Sequence, residues 1–416
     1  MGVNVCIHRG ARQIGGSCVE LERDGARLLL DLGLPLDAAE ATAELLPEVP
    51  GLHHADSSLV GVVLSHPHQD HHGLMRFLPQ STPIFMGAAA ERIIEAAAMF
   101  VPNAVPLHAR GHLQDGVAIQ VGPFRVTPYL VDHSAYDAYA LLVESGGKTL
   151  FYSGDLRAHG RKAAVFERLL ARVPRGVDAL LLEGSSIGRL AVSERFPTEG
   201  ELEEELCMLS LRTEGAVLVC ASAQNIDRVV TVFRAARRAR RVLVIDLYAA
   251  ALLAATGNRN IPQSFWDDVR LFVPQRQRVR VKKLKAFAVL RAHDRHRVFP
   301  ESLAALAPKS IFLFRHALAE DLEKAECLAG ARLVWSQWDG YRGHPSFAQL
   351  FEWQARMGLP IESLHTSGHA SIADLQRLAK AIEPKRLVPI HSFESGRYAE
   401  FFSNVEHHND GERWSL

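Results

Sequence analysis

Residues 65–73 read SHPHQDHHG and follow directly on the apolar run LVGVVL at 59–64. A β-branched run of that length with polar residues beyond it reads as a buried strand. His66, His68, Asp70 and His71 at such a strand end require a fold in which other segments converge on the same point. Two imidazoles two residues apart on extended backbone point the same way, and Asp70–His71 on the following turn can face a second ion. Imidazole with carboxylate suits zinc, and a two-metal site activates a water held between the ions. The plain alternative is a polar loop that happens to be rich in histidine; the spacing and the placement argue against it.

Histidine is in surplus, 20 residues against 5 cysteines in a chain of 416. The cysteines are odd in number, widely scattered and without a CxxC pair, so the sequence carries no disulfide framework and fits a reducing cytosol. The N-terminal residues lack the apolar core of a secretory signal, and the longest bland apolar run (LYAAALLAAT, 247–256) is about half a membrane span. The expectation is a cytoplasmic protein with no membrane partner.

Strand-like runs at 27–32, 59–64, 124–131, 149–153 and 178–182 alternate with helical patterns such as 91–100, which makes this an α/β chain. The texture changes near Arg195. Thr198 and Glu201 have capping-box spacing and open an acidic helix. A strand at 217–221, a helix at 225–240 and a strand at 241–245 then read as parallel βαβ units. Further on, 311–314 is strand-like and 348–357 helical.

Three more candidates each follow a predicted strand: His133 in VDHS, Asp155 in FYSGD and His391 in VPIHS. Singly each is an ordinary turn or cap residue. Together with HxHxDH they supply two imidazole-rich ligand sets and a carboxylate to bridge them.

At this point the residues resemble the metallo-β-lactamase superfamily, and within it the β-CASP nucleases typified by ribonuclease J and its short bacterial relatives. Asp31 in LLLDLG matches the first motif, His66-x-His68-x-Asp70-His71 the second, and His133 and Asp155 the third and fourth. Glu183 in LLLEGSS, His369 in HTSGHAS and His391 match motifs A, B and C. The resemblance implies two Zn2+ per chain, or Mn2+ in their place. His66, His68 and His133 would hold one, Asp70, His71 and His391 the other, with Asp155 bridging and Asp31 supporting the site. It also implies a metallo-β-lactamase αββα sandwich interrupted by an inserted βαβ-type β-CASP domain. The expected boundaries are 1–190 and 362–416 for the sandwich and 191–361 for the insertion.

A histidine in motif C goes with the RNA-acting members of the family, so an RNA substrate is expected, with a DNA nuclease as the alternative. A non-catalytic RNA-binding scaffold is the reading from another class; its sign would be lost ligands, and none is missing here. The chain ends soon after motif C, without the extra C-terminal domain of ribonuclease J, which leaves a homodimer open. In the mechanism so implied, Asp70 serves the metal-activated water, and His369, oriented by Glu183, protonates the leaving 3′ oxygen.

Candidates for holding the RNA backbone are Ser222 and Arg228 in a strand-to-helix loop, and Ser367, Gly368 and Ser371 around His369. A third set is Arg276, Arg278 and Arg280. These three open a stretch, 276–297, with nine Lys/Arg and one acid. The helix at 225–240 adds Arg234, Arg237, Arg238 and Arg241 on one face. The overall charge balance of 47 Lys+Arg against 47 Asp+Glu therefore averages a locally basic insertion with an acidic remainder, and does not argue against nucleic acid. Trp335, Trp338 and Tyr341 are expected to pack in the core rather than stack on bases, and His365 to be structural.

Overall fold

A computed structural model describes residues 2–38, 40–101 and 104–416. The chain divides into two compact units. One comprises Met1–Glu95, Ala104–Phe196 and Gly368–Leu416, the other Ala96–Asn103 and Pro197–Ser367. The divisions fall a few residues beyond the expected 190 and 361. The second unit also takes in the segment near residue 100, where Phe100 packs on Tyr248 and the Met99 carbonyl accepts the Arg280 Nε–H.

The first unit contains two sheets. One runs in the order Arg413–Ser415, Asn4–Arg9, Cys18–Arg23, Ala26–Leu30, Leu59–Val63, Ile84–Gly87, Gly111–Leu113. The other runs Leu387–Ile390, Ala179–Glu183, Lys148–Tyr152, Tyr139–Ser145, Phe124–Leu130, Ile119–Val121. Alternation along the strands sends one set of side chains inward from both sheets: Val5, Ile7, Val19 and Leu21 meet Val126, Leu141, Val143 and Leu181 in a common core. The opposite faces are covered by helices. Ile94, from the helix Ala88–Ala98, lies with Leu29, Val62 and Met86. Phe166, Leu169, Leu375 and Leu378, from the helices Ala163–Arg172 and Ile372–Ile382, lie with Phe151, Leu180 and Leu182. Each such leucine or phenylalanine contributes about 1.5–3 kcal/mol on burial. The layers are helix, sheet, sheet, helix.

This arrangement decides where the polar residues gather. Ala26–Leu30 and Leu59–Val63 are parallel neighbours, as are Lys148–Tyr152, Ala179–Glu183 and Leu387–Ile390. Parallel strands present their carboxyl ends on one edge, and Asp31, Ser65, Asp155, Glu183 and His391 all lie at such ends. Asp31 (φ 60°) and His391 (φ 54°) adopt the left-handed conformation, uncommon for a side chain of that size and a form of strain found at functional sites.

The second unit is built on one parallel sheet of seven strands: Arg297–Val298, Val269–Phe272, Val242–Ile245, Ser310–Phe314, Val217–Cys220, Arg332–Trp335 and Ile361–Ser363. Its central strands are buried on both faces, as their unbroken apolar runs require. The Thr198–Glu201 capping box forms as expected and starts the helix Glu199–Leu211. The apolar run at 247–256 is the helix Leu247–Ala255, buried within this unit. No helix among the described residues is long and apolar enough to cross a membrane. Trp335 is fully buried, as expected, whereas Trp338 is 38% exposed.

Candidate metal centre

The segment after Leu59–Val63 bends at Ser65 and Pro67, and His68, itself extended, precedes a single helical turn, Gln69–His72. The His66 and His68 rings meet edge to face, with centroids 4.9 Å apart, and the turn swings Asp70 and His71 into a second group. His133 arrives from the loop after Phe124–Leu130, and its Nε2 lies 3.2 Å from His68 Nδ1. His66, His68 and His133 each offer one ligand atom within 4.8 Å of the others, and so do Asp70, His71, Asp155 and His391.

Asp155 Oδ2 stands 3.2 Å from His71 Nε2, 3.5 Å from His391 Nε2 and 3.8 Å from His66 Nε2, so it reaches both groups. Ligand atoms placed about 2.0–2.2 Å from one ion in a tetrahedron stand roughly 3.3–3.6 Å apart. The 3.2 and 3.5 Å spacings from Asp155 Oδ2 to His71 and His391 are close to those of ligands about one cation. The Nε2 atoms of His66, His71 and His391 and the Asp155 Oδ1 are buried and have no hydrogen-bond partner among the described residues. Four buried polar atoms so placed cost free energy unless a bound group takes them up. The residues fit a divalent cation pair of the kind that imidazole and carboxylate favour.

The electrostatics agree. Burial, reinforced by the neighbouring rings, holds His66 and His133 well below the usual histidine range, and burial brings His68 to about 4. These three are neutral, as metal ligands must be. Burial also lowers His391. It would lower His71 too, but Asp155, Asp31 and Asp70 together push that ring well above its ordinary value. Asp155 is held well below the carboxylate range, its burial outweighed by His391, His71 and His369.

A layer of fixed partners surrounds these groups. Asp31 Oδ2 accepts from His71 Nδ1 at 2.7 Å, and also from the Ser65 and Tyr152 hydroxyls, each at 2.7 Å. The Gly368 carbonyl accepts from His133 Nδ1 at 2.7 Å. Glu183 takes the Ser185 and Ala370 backbone N–H groups and lies 3.5 Å from His369 Nδ1. His369 is raised to about 9, because Glu183 and Asp155 outweigh its burial. Ser65, Ser17 and Tyr152 were not singled out from sequence, since a lone serine or tyrosine at a strand end has no distinguishing spacing. His72 is buried and held at about 4 by its burial, and takes no place in either ligand group.

The candidates for holding RNA fare less evenly. Arg228 is turned inward, not toward the loop surface: 1% exposed, it forks onto Glu199 at 3.1 and 3.0 Å and reaches the Ser336 carbonyl at 3.1 Å. A guanidinium so enclosed is a fold element, and the expectation of a substrate contact is corrected. Ser222 is exposed and accepts from the Gln224 N–H, while Asn225 caps the helix Ile226–Arg238. Ser371 caps Ile372–Ile382 through Asp374 N, and Gly368 serves His133 through its carbonyl; Ser367 is buried. Arg278 pairs with Asp321 at 3.0 Å and Arg280 with the Met99 carbonyl, whereas Arg276 is exposed in a cleft of about 370 Å³ beside His316. On the helix face, Arg237 pairs with Asp268, Arg238 with Glu203, and Arg241 with the Gly215 carbonyl, whereas Arg234 is exposed.

With this geometry in view, residues 27–232 match the family described as Beta-lactamase superfamily domain, and residues 354–395 the one described as Zn-dependent metallo-hydrolase RNA specificity domain. The chain is 22% identical over 379 residues to Ribonuclease J of Sinorhizobium meliloti, covering 88% of this chain and 63% of that protein. It is 26% identical over 243 residues to Ribonuclease J of Mycobacterium tuberculosis, covering 56% and 43%. Ribonuclease J 2 of Streptococcus pyogenes matches at 22% identity over 95% of this chain and 70% of its own. The chain thus spans less than two thirds of the first two relatives. A crystal structure of a protein of unknown function from Enterococcus faecalis superposes with a TM-score of 0.78 at 21% identity, over the whole of both chains.

Proposed function

The chain belongs to the metallo-β-lactamase superfamily, in its ribonuclease J-like β-CASP branch, and on that premise we propose that it hydrolyses RNA phosphodiester bonds with two divalent cations. The observation that carries the reading is Asp155, in reach of both ligand groups, together with the buried Nε2 atoms of His66, His71 and His391, which lack hydrogen-bond partners among the described residues. His66, His68 and His133 would hold one ion, Asp70, His71 and His391 the other, zinc being favoured by the donor set and manganese the alternative. When bound, such a pair supplies an acidified water and positive charge for the phosphoryl oxygens.

The protein's own groups do the rest. Asp70, 19% exposed and the most open of the second group, would accept the proton of the attacking water. His369 carries a proton at neutral pH, kept there by Glu183 and Asp155, and delivers it to the leaving 3′ oxygen. Glu183, pinned by two backbone N–H groups, holds the ring toward the site. The unit around Pro197–Ser367 is taken as the family's inserted domain. Its exposed cations, Arg276, Lys282, Lys283 and Lys285, are the groups available to phosphates.

The test is digestion of single-stranded RNA and DNA of one sequence, labelled at either end, with 5′-triphosphate, monophosphate or hydroxyl. Cleavage of RNA that stops with a chelator and returns with Zn2+ or Mn2+ is expected. Preference for the DNA would replace the RNA reading, and cleavage undiminished in metal-stripped protein would remove the two-cation reading.

A further inference from the structure

His71, His133 and His391 each turn Nδ1 to a protein partner, and what that nitrogen meets sets what Nε2 can do. A neutral imidazole that donates through Nδ1 leaves a bare lone pair on Nε2, the atom a cation needs. His71 Nδ1 meets the Asp31 carboxylate and His133 Nδ1 the Gly368 carbonyl. Both partners accept, so both rings are set as ligands.

His391 is different. Its Nδ1 receives the Gly15 backbone N–H at 3.3 Å, which calls for hydrogen on Nε2, and stands 3.0 Å from Ser17 Oγ, which can donate or accept. With hydrogen on Nε2 the ring points a donor toward Asp155 Oδ2 at 3.5 Å and Asp70 Oδ2 at 3.9 Å, and presents no lone pair to an ion. Placing that hydrogen on Nδ1 needs an acceptor beside it, and Ser17 Oγ is in reach. The Ser17 hydroxyl hydrogen then needs a place of its own. Tyr152, a hydrogen-bond neighbour of Ser17, gives its hydrogen to Asp31 Oδ2 at 2.7 Å and can accept one in return.

We propose that Ser17 is a positioning residue whose hydroxyl changes from donor to acceptor toward His391 Nδ1, relayed through Tyr152 to Asp31. One carboxylate then orients both histidines of the second group, His71 directly and His391 through two hydroxyls. The change moves one hydrogen between the two ring nitrogens of His391 and gives up the long 3.3 Å bond from the Gly15 N–H, and no hydrogen leaves the network. Ser17 is fully buried; its N–H bonds the Asp70 carbonyl at 3.1 Å and its carbonyl the Gly33 N–H at 3.0 Å. Truncation to alanine therefore keeps those backbone attachments and removes only the hydroxyl.

The inference rests on the two-cation reading, and the experiment separates the two. Zn2+ alone is titrated calorimetrically into metal-stripped full-length protein, with melting of the metal-free variants recorded alongside. Wild type binds in two steps. Ser17→Ala leaves the first step within about twofold and weakens the second roughly 10–100-fold, the cost of losing an outer partner of a ligand. Ser17→Thr restores it, and Tyr152→Phe weakens it less. Ser17→Cys, close in size but a poor acceptor, repeats the Ser17→Ala result if the alanine variant folds badly. An unchanged second step in Ser17→Ala or Ser17→Cys overturns the proposal. So does equal weakening of both steps, which would make the hydroxyl a support of the fold. A single step in wild type removes the two-cation reading itself, before any variant is considered.

Discussion

Each unit of this protein buries a cluster of charged side chains, and the two clusters are opposites. In the unit around Pro197–Ser367, Arg228 and Glu199 form a two-bond fork, Thr231 Oγ1 adds a bond to Glu199 at 2.6 Å, and the Ser336 carbonyl, the Ser336 hydroxyl and the Thr366 carbonyl take the remaining guanidinium hydrogens. In the sandwich unit, Asp155, His66, His71 and His391 lie as deeply buried, but four of their polar atoms meet no partner among the described residues. Burial of charge is common to both. Only the second leaves valence unspent, and a buried polar group without a partner marks a place where something binds. The fixed layer behind it, Asp31, Ser65 and the Gly368 carbonyl, is satisfied in the manner of the Arg228 cluster, and holds the open atoms in position.

Removing one member of each cluster gives the largest and most divergent effects. Asp155→Asn or Asp70→Ala is expected to take RNA cleavage below detection while the metal-free fold and its melting temperature persist. Assay and melting curve of one preparation check this. Unfolding of either variant would place the Asp155 group with the structural cluster. Arg228→Met takes the cation away from the buried Glu199 carboxylate, which keeps the Thr231 hydroxyl, at a cost of about 3–5 kcal/mol in unfolding free energy. Denaturant unfolding measures it, and a near-neutral change would end the contrast. Pairing it with Glu199→Met should recover most of the loss, because no buried charge is then left without its partner.

The contrast also explains what could be read from sequence. Ligand groups closer than six residues, His66 to His71, announce themselves by spacing. The strand-end positions of His133, Asp155 and His391 follow from apolar runs with one polar terminus. Those patterns located the groups that gather in the cluster, and the strand–helix alternation gave the α/β class, while the layers were implied by the family resemblance. Arg228 was misplaced because a strand-to-helix loop looks the same whether its arginine points out or in; what decided it was Glu199, 29 positions earlier, and nothing local marks that pairing. Ser17, Tyr152 and Ser65 escaped for the same reason, being recognisable only by what stands across from them. The short strands Asn4–Arg9, Cys18–Arg23 and Arg413–Ser415 carry charged residues that interrupt the apolar pattern, and their pairing is set by partners from both ends of the chain.

A finer cut tests the satisfied layer within the metal centre. Asp31→Asn keeps the shape but removes the charge that holds His71, and metal affinity should fall roughly 10–100-fold with the fold intact. Equilibrium dialysis against Zn2+ reads this directly. Glu20 offers a control in the same unit: 1% exposed, it pairs with His8, Arg27 and Arg413, and these partners outweigh its burial to depress its pKa. A carboxylate depressed in the folded state contributes stability above its unfolded pKa of about 4.5, and the contribution drains away as pH falls through the lower folded value. Glu20→Gln should therefore flatten the acid side of the stability profile without touching Zn2+ affinity.

The smallest expected effect carries the same logic to the surface. Among the cations near the start of the basic stretch, Arg278 and Arg280 already have partners, Asp321 and the Met99 carbonyl, whereas the side chains of Arg276, Lys282 and Lys283 have none among the described residues. A cation already paired must give up its bond before it can meet a phosphate; an exposed unpaired one releases a counterion from the RNA at little cost. Neutralising Arg276, Lys282 and Lys283 to glutamine should weaken binding of single-stranded RNA and reduce the slope of log K against log salt by about 2, at roughly 0.7 per phosphate contact. Arg278→Gln with Arg280→Gln should change the slope much less and lower the melting temperature instead. Filter binding at three or more salt concentrations distinguishes the sets, and if the paired set changes the slope more, unspent valence fails as a guide to where this protein meets its substrate.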